Sequence, residues 1–194
     1  LHRRGPNDYL MLVEERLASV ALWKSDGTAA GTARFLEVEF EGQYSNLRSW
    51  APIADGIAFM VGLYDPSRSE LWYSDGTAAG TLIGAVLPAG VVDTPAAHDG
   101  SIYFTAGVDG EEWVWRGDGS AATTRPIVTL GSRSARSDSF QFFDGRLYFV
   151  ACAADQRSCA LLSTALDGGL PDHVAEVCDG DYCVGSDGSL WVRG

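Results

Sequence analysis

Two stretches of this 194-residue chain are near copies: Leu22-Trp-Lys-Ser-Asp-Gly-Thr-Ala-Ala-Gly-Thr32 and Leu71-Trp-Tyr-Ser-Asp-Gly-Thr-Ala-Ala-Gly-Thr81. A third, Val114-Trp-Arg-Gly-Asp-Gly-Ser-Ala-Ala-Thr-Thr124, is a clear relative. Repetition at this spacing calls for one supersecondary element per unit, each burying a face against its neighbours. A second marker keeps the same period. The pairs Asp55-Gly56, Asp99-Gly100, Asp144-Gly145 and Asp187-Gly188 are spaced 44, 45 and 43 residues apart. Asp-Gly between apolar runs signals a hairpin, because Gly accepts the positive φ of a type I′ turn.

Each of these pairs precedes a strand-like run: Ile57–Tyr64, Ile102–Ala106, Leu147–Ala153 and Leu190–Val192. A polar turn then leads to the Leu-Trp strand. The Ser-Asp-Gly-Thr turn follows, and a fourth strand such as Thr81–Leu87 completes the unit. Helix signals are nearly absent, and the register of Asp8–Ala21 against Gly56–Glu70 reads as strand. Four short antiparallel strands per unit of 40–50 residues predict an all-β chain with the sequence signature of a β-propeller.

The units run approximately over 8–45, 46–90, 91–134 and 135–178, with a closing strand in 179–194, in a single domain of 1–194. Four blades is the preferred count. The first unit shows no leading strand, and the tail Tyr182–Trp191 supplies one, so the tail is expected to complete the first blade and remove the exposed edges. The surplus strand at Leu190–Val192 leaves open a fifth blade or a place in a larger ring.

The apolar share of 46% and aromatic share of 11% are those of a folded chain. A formal net charge of −12 disfavours nucleic acid and anionic membrane as partners, since both demand a basic surface. Arg125, Arg133, Arg136 and Arg146 form a local basic exception that reads first as a solvated loop. No apolar run reaches the roughly 18 residues that span a bilayer. The Leu-His-Arg-Arg-Gly start carries neither Met nor a signal peptide, as expected of a processed or truncated product.

The repeated string resembles the bacterial repeat family with consensus E-L-W-x-x-D-G-T-x-x-G-T, closely at Glu70–Thr81 and Leu22–Thr32 and partially at Val114–Thr124. In the third unit Gly117 replaces Ser and Thr123 replaces Gly, and the fourth unit, Leu161–Leu170, keeps only an Asp-Gly. The resemblance implies a secreted or surface-associated propeller-like array and brings no catalytic residues with it.

The residues themselves have structural tasks. Asp26, Asp75 and Asp118 can accept backbone N–H groups of their own turns. Gly27, Gly31, Gly76, Gly80 and Gly119 are expected to supply positive φ, and Thr28 and Thr77 to satisfy further backbone groups. Trp23, Trp72 and Trp115 are expected to pack between neighbouring sheets, each with an N–H needing a partner. No calcium-loop pattern occurs. Asp179, Asp181 and Asp187 are the weak calcium candidates, and otherwise no cofactor is implied.

Four cysteines fall in two close pairs. Of the three connectivities, Cys152–Cys159 with Cys178–Cys183 closes the shortest loops. Reduced thiols remain the bland alternative, and no Cys-x-x-Cys favours zinc. Bridged, the chain belongs to an oxidising compartment, which is extracellular, the cell surface or the periplasm.

The histidines, His2, His98 and His173, fall in different units, and only His98 sits on an expected channel-facing strand. Glu111 and Glu112 are neighbours on a strand and point to opposite faces, so they form no acid–base pair. Two classes remain. The preferred one is a non-catalytic extracellular module that binds a glycan or a protein partner, or serves as a scaffold or as a subunit or fragment of a larger assembly. Tyr44, Trp50, Tyr64, Trp113, Phe140 and Tyr182 are its stacking candidates. The alternative is a propeller hydrolase or lyase acting on polysaccharide with calcium.

Overall fold

The computed structural model describes residues 1–16, 19–40, 45–54, 56–64, 67–88, 95–108, 110–135, 139–154 and 159–177. Within them lie four antiparallel sheets in chain order. The first holds β1 (His2–Gly5), β2 (Asp8–Arg16), β3 (Ser19–Ser25) and β4 (Ala33–Glu39). The second holds β5 (Ser45–Ile53), β6 (Gly56–Tyr64), β7 (Ser67–Ser74) and β8 (Thr81–Pro88). The third holds β9 (Ala96–His98), β10 (Ser101–Val108), β11 (Glu111–Gly117) and β12 (Arg125–Gly131). The fourth holds β13 (Ser134–Ala135), β14 (Gln141–Phe143), β15 (Arg146–Cys152), β16 (Cys159–Ala165) and β17 (Asp172–Val177). β13 and β14 both pair with β15, so the leading edge of this last sheet is made of two pieces.

The short turns make these up-and-down sheets. At β9–β10 and β14–β15 the corner residues are Asp99 (φ 45) with Gly100 (φ 74), and Asp144 (φ 48) with Gly145 (φ 70). Two consecutive left-handed residues are what a type I′ hairpin requires. Asp tolerates the first position and Gly the second.

The central strands bury both faces, which is why β6 reads Ile-Ala-Phe-Met-Val without polar alternation. Ile57, Phe59, Val61 and Leu63 of β6 pack with Leu10, Val20, Leu22 and Phe40 of the first unit. The intervening Ala58 and Met60 face the other way, onto Ile102, Phe104 and Ala106 of the third sheet. Tyr103, Val114 and Val128 of that sheet then meet Leu147, Phe149 and Leu162 of the fourth. Each core therefore joins consecutive sheets face to face, the packing of β-propeller blades. Phe59 and Phe104 are fully buried, and truncating either to Ala would cost about 3–5 kcal/mol.

One expectation fails. The first sheet has its own leading strand, β1, with Arg3 opposite Tyr9 and His2 opposite Leu10. Arg3 donates from Nε to the Gly5 carbonyl and from Nη2 to that of Pro6, bracing the reversal that lays β1 along β2. The edge reserved for the C-terminal tail is thus already taken. Residues 179–194 lie outside the described residues, and so does the closure assigned to them.

Candidate functional site

The repeat turns consume their own polar groups. Asp26 Oδ1 accepts the Thr28 amide at 2.9 Å and the Thr28 hydroxyl at 2.7 Å. The Thr28 oxygen in turn accepts the Gly31 amide at 3.0 Å, and Ser25 Oγ lies 2.6 Å from Thr32 Oγ1. Asp75, Thr77, Gly80, Ser74 and Thr81 repeat the pattern at nearly the same distances. The hydroxyl and amide of Thr28 hold the Asp26 carboxyl below the usual carboxylate range, because both hydrogen bonds favour its charged form.

The glycines divide into two kinds. Gly27 (φ 92), Gly76 (φ 86) and Gly119 (φ 114) supply positive φ. Gly31 and Gly80 do not. A Cβ on Gly31 would stand 2.1 Å from the Asp26 carboxyl, and one on Gly80 would stand 2.2 Å from that of Asp75. They are glycine because a side chain already fills their space.

The third turn, at Asp118-Gly119-Ser120, is built across a blade boundary. Gly117 stands where the other turns have Ser, and Tyr73 Oη from the second sheet takes the place of that hydroxyl. It lies 2.8 Å from Thr124 Oγ1, and a Cβ on Gly117 would meet it at 2.0 Å. Burial pushes the Tyr73 phenol up to about 12, because the anion would lose its solvation there. Gly84 belongs to the same device, since its missing Cβ leaves room for the Tyr73 ring at 2.1 Å.

The tryptophans share one register position, opposite Met11, Phe59 and Phe104; Leu162 opposite Phe149 holds that position in the fourth sheet. Trp72 stacks on Phe59 and meets Phe40 edge-on, and its Nε1 donates to buried Glu70 at 3.1 Å. Trp115 stacks on Phe104 and its Nε1 donates to the Ala106 carbonyl. Trp23 belongs to none of the cores among the described residues, and its buried Nε1 has no acceptor there. Ala21 occupies the register position that Glu70 holds in the second sheet.

Cys152 and Cys159 are opposite residues of β15 and β16 and form a disulfide with a Cα separation of 3.9 Å. Cys178, Cys183, Asp179, Asp181 and Asp187 lie outside the described residues, as do Tyr44, Tyr182 and Arg136. Among the described residues no three metal-ligating side chains converge. Arg125 and Arg133 donate to the Asp167 and Ala151 carbonyls, and Arg146 pairs with Asp172 and Ser163. Glu111 accepts Thr129 while Glu112 accepts the Ala135 amide, so the two carboxylates serve different neighbours. Phe140 is core, tilted against Phe149.

The leading strands carry a different set of residues, one that varies from unit to unit. His98 of β9 stacks on Phe142 of β14 with ring centroids 4.3 Å apart and planes 2° from parallel. Its Nε2 lies 3.4 Å from Asp99 Oδ2. His2 of β1 faces Trp50 of β5 at 6.5 Å, and Phe143 is 61% exposed. These aromatic and imidazole contacts bridge sheets at their leading edges, and Phe142 also meets Tyr103 of β10 at 5.0 Å. Sequence reading reached His98 and Trp50 separately. It missed Phe142 and Phe143, which stand just before the Asp144-Gly145 turn, where the marker itself drew attention to the loop.

No family model matches the chain, and no curated relative matches it. Among solved structures it is similar to the crystal structure of a nidogen/laminin complex, with 10% identity and a TM-score of 0.48 over 87% of this chain. The chain spans 62% of the length of that structure's chain.

Proposed function

We propose that this chain is a non-catalytic, extracellular β-propeller module of the E-L-W-x-x-D-G-T-x-x-G-T repeat kind that binds a protein partner or a glycan through its leading strands. The observation that carries the reading is the His98–Phe142 stack, which joins two sheets at their leading strands, with Phe143 exposed on the opposite face of β14. Aromatic faces of this kind suit sugar rings and peptide side chains alike. The polar groups of the repeat support the same reading, since hydrogen bonds within the first two turns occupy those of Asp26, Thr28, Asp75 and Thr77. The Cys152–Cys159 disulfide fits an oxidising compartment. Among the described residues no helix is long and apolar enough to cross a membrane.

A glycan array and a displayed-peptide library, run beside a polysaccharide turnover panel, test the proposal. The expected result is retention of one ligand class without turnover, weakened at least tenfold in Phe143→Ala and His98→Ala, the fold-change that corresponds to about 1.4 kcal/mol. Turnover of any polysaccharide would overturn the non-catalytic reading in favour of a calcium-assisted hydrolase or lyase. A blank in both binding screens would leave the scaffold role.

A further inference from the structure

The chain holds ten Asp-Gly pairs, and six lie wholly among the described residues, at 26–27, 75–76, 99–100, 118–119, 144–145 and 167–168. Asp-Gly is the dipeptide in which a backbone nitrogen most easily attacks a side chain, because glycine puts nothing beside its own nitrogen. Two things slow the attack on the aspartyl Cγ. A hydrogen bond from the glycine N–H keeps the nitrogen from losing its proton, and a fixed carboxyl or a turn held shut keeps Cγ out of reach.

Five of the six pairs are held in one or both ways. The Gly27 amide donates to Ser25 Oγ at 3.0 Å and the Gly76 amide to Ser74 Oγ at 3.2 Å. The amides and hydroxyls of Thr28 and Thr77 fix the carboxyls of Asp26 and Asp75. In the third turn the Gly119 amide donates to Tyr73 Oη, so the phenol takes over this task of the missing serine as well. Gly168 donates to the Ala165 carbonyl at 3.0 Å. Asp99 Oδ2 lies 3.4 Å from His98 Nε2, and the Gly100 carbonyl accepts the Ala54 amide at 3.3 Å, which ties that turn to the second sheet. Asp144-Gly145 is different. Both residues are exposed, and among the described residues neither the Asp144 carboxyl nor the Gly145 amide has a partner. Asp144 is left-handed, with φ 48, which turns Cγ away from the next nitrogen until the turn opens. Here little resists opening: β14 is three residues long, and a Cβ on Gly145 would meet nothing within 4 Å.

We propose that Asp144-Gly145 is a site of spontaneous covalent modification, aspartate to isoaspartate, and that the hydroxyls of Ser25, Ser74 and Tyr73 protect the Asp-Gly pairs of the repeat turns from the same reaction. The Gly145 nitrogen attacks Cγ of the protonated Asp144 carboxyl. An N–Cγ bond forms, the amide proton and the carboxyl hydroxyl leave as one water, and a succinimide ring closes. Water then returns at either carbonyl. At Cγ it restores Asp144, and at the main-chain carbon it leaves the chain running through Cβ as isoaspartate. No oxidant or reductant enters. The extra backbone carbon lengthens a two-residue turn, so Phe143 and Arg146 no longer stand opposite each other. The reaction stands on the turn alone, whatever the leading strands bind.

The test incubates the full chain near neutral pH, folded and in guanidinium chloride, and maps its Asp-Gly peptides by mass spectrometry with enzymatic methylation of isoaspartate. In the folded chain isoaspartate is expected to form at Asp144 roughly tenfold faster than at Asp26, Asp75 or Asp118, as the difference between a free and a held turn implies. In the unfolded chain the four sites should react at comparable rates, because the difference lies in the fold. Ser74→Ala should speed the reaction at Asp75, and Ser25→Ala the reaction at Asp26, each with an unchanged far-ultraviolet circular dichroism spectrum; either variant suffices if the other does not fold. Equal folded rates at the four sites, or an Asp144 that stays intact while the unfolded chain reacts, would overturn the site. Serine variants that leave Asp26 and Asp75 as slow as before would overturn the protection.

Discussion

The phenol of Tyr73 stands in for a serine hydroxyl that the third turn lacks, and this substitution can be undone by mutation. Tyr73 Oη is 2.8 Å from Thr124 Oγ1, matching the 2.8 Å between Ser74 Oγ and Thr81 Oγ1 in the second turn. Tyr73→Phe removes one neutral, buried hydrogen bond and should cost about 1 kcal/mol. Gly117→Ser alone forces a Cβ to 2.0 Å from that oxygen and should cost about 1–3 kcal/mol by overpacking. In the double variant the nearer obstructing oxygen is gone, and the ring carbon left behind stands 3.3 Å from the new Cβ. Thr124 Oγ1, at 2.9 Å from that Cβ, must turn slightly, as it can once freed from the phenol, and the serine hydroxyl can then reach it.

The double variant should therefore recover most of the loss, with a favourable coupling on the order of 1–3 kcal/mol. Urea unfolding followed by tryptophan fluorescence supplies the four corners of the cycle. Gly117→Ala in the Tyr73→Phe background isolates the steric part, since it restores the Cβ without the hydroxyl. Additive losses would refute the exchange of hydroxyls, because they would mean that Tyr73 and Gly117 do not share one site.

Two further outcomes follow from the same geometry. The Tyr73 phenol is raised to about 12 from an ordinary 10, so it contributes stability below pH 10 that is lost as pH climbs towards 12. That is roughly 2–3 kcal/mol by linkage. Denaturation on either side of this window should show the fall in wild type and a smaller one in Tyr73→Phe, where Tyr103, also raised by burial, still titrates. Gly80→Ala, with its Cβ 2.2 Å from the Asp75 carboxyl, should lower the melting temperature by several degrees, as about 1–3 kcal/mol of overpacking would. Asp75→Ala should relieve it in the double variant, and an unrelieved loss would return Gly80 to a purely conformational role.

The strand runs and the type I′ corners at Asp99-Gly100 and Asp144-Gly145 were legible because both are local; the expectation fails at Gly56, which pairs with Ile53 as a strand residue without a positive φ, and Asp187-Gly188 lies outside the described residues. Alternation, or its loss in a doubly buried strand, is written in consecutive residues, and so is the Asp-Gly that bends them. The leading strand β1 was not legible. His-Arg-Arg-Gly has no apolar alternation and becomes a strand only because β2 offers it an open edge. The reason for Gly31 and Gly80 was hidden as well. Sequence shows that a side chain is absent there, but not whether φ or a neighbouring carboxylate excludes it. The disulfide between Cys152 and Cys159 could be read from spacing, since opposite residues of a hairpin are close whatever the fold. The His98–Phe142 stack joins two sheets, and no local pattern announces such a pairing.

The sequence by itself determined the unit: its period, its turns and the strands that each turn connects, all governed by backbone sterics and hydrogen bonds within a few residues. Tertiary structure decided what fills each space between units. Tyr73 serves the next sheet's turn, and Trp72 and Trp115 are seated between sheets while Trp23 lacks an acceptor. These depend on which side chain first occupies a shared volume, and packing between sheets sets that, not the pattern along the chain.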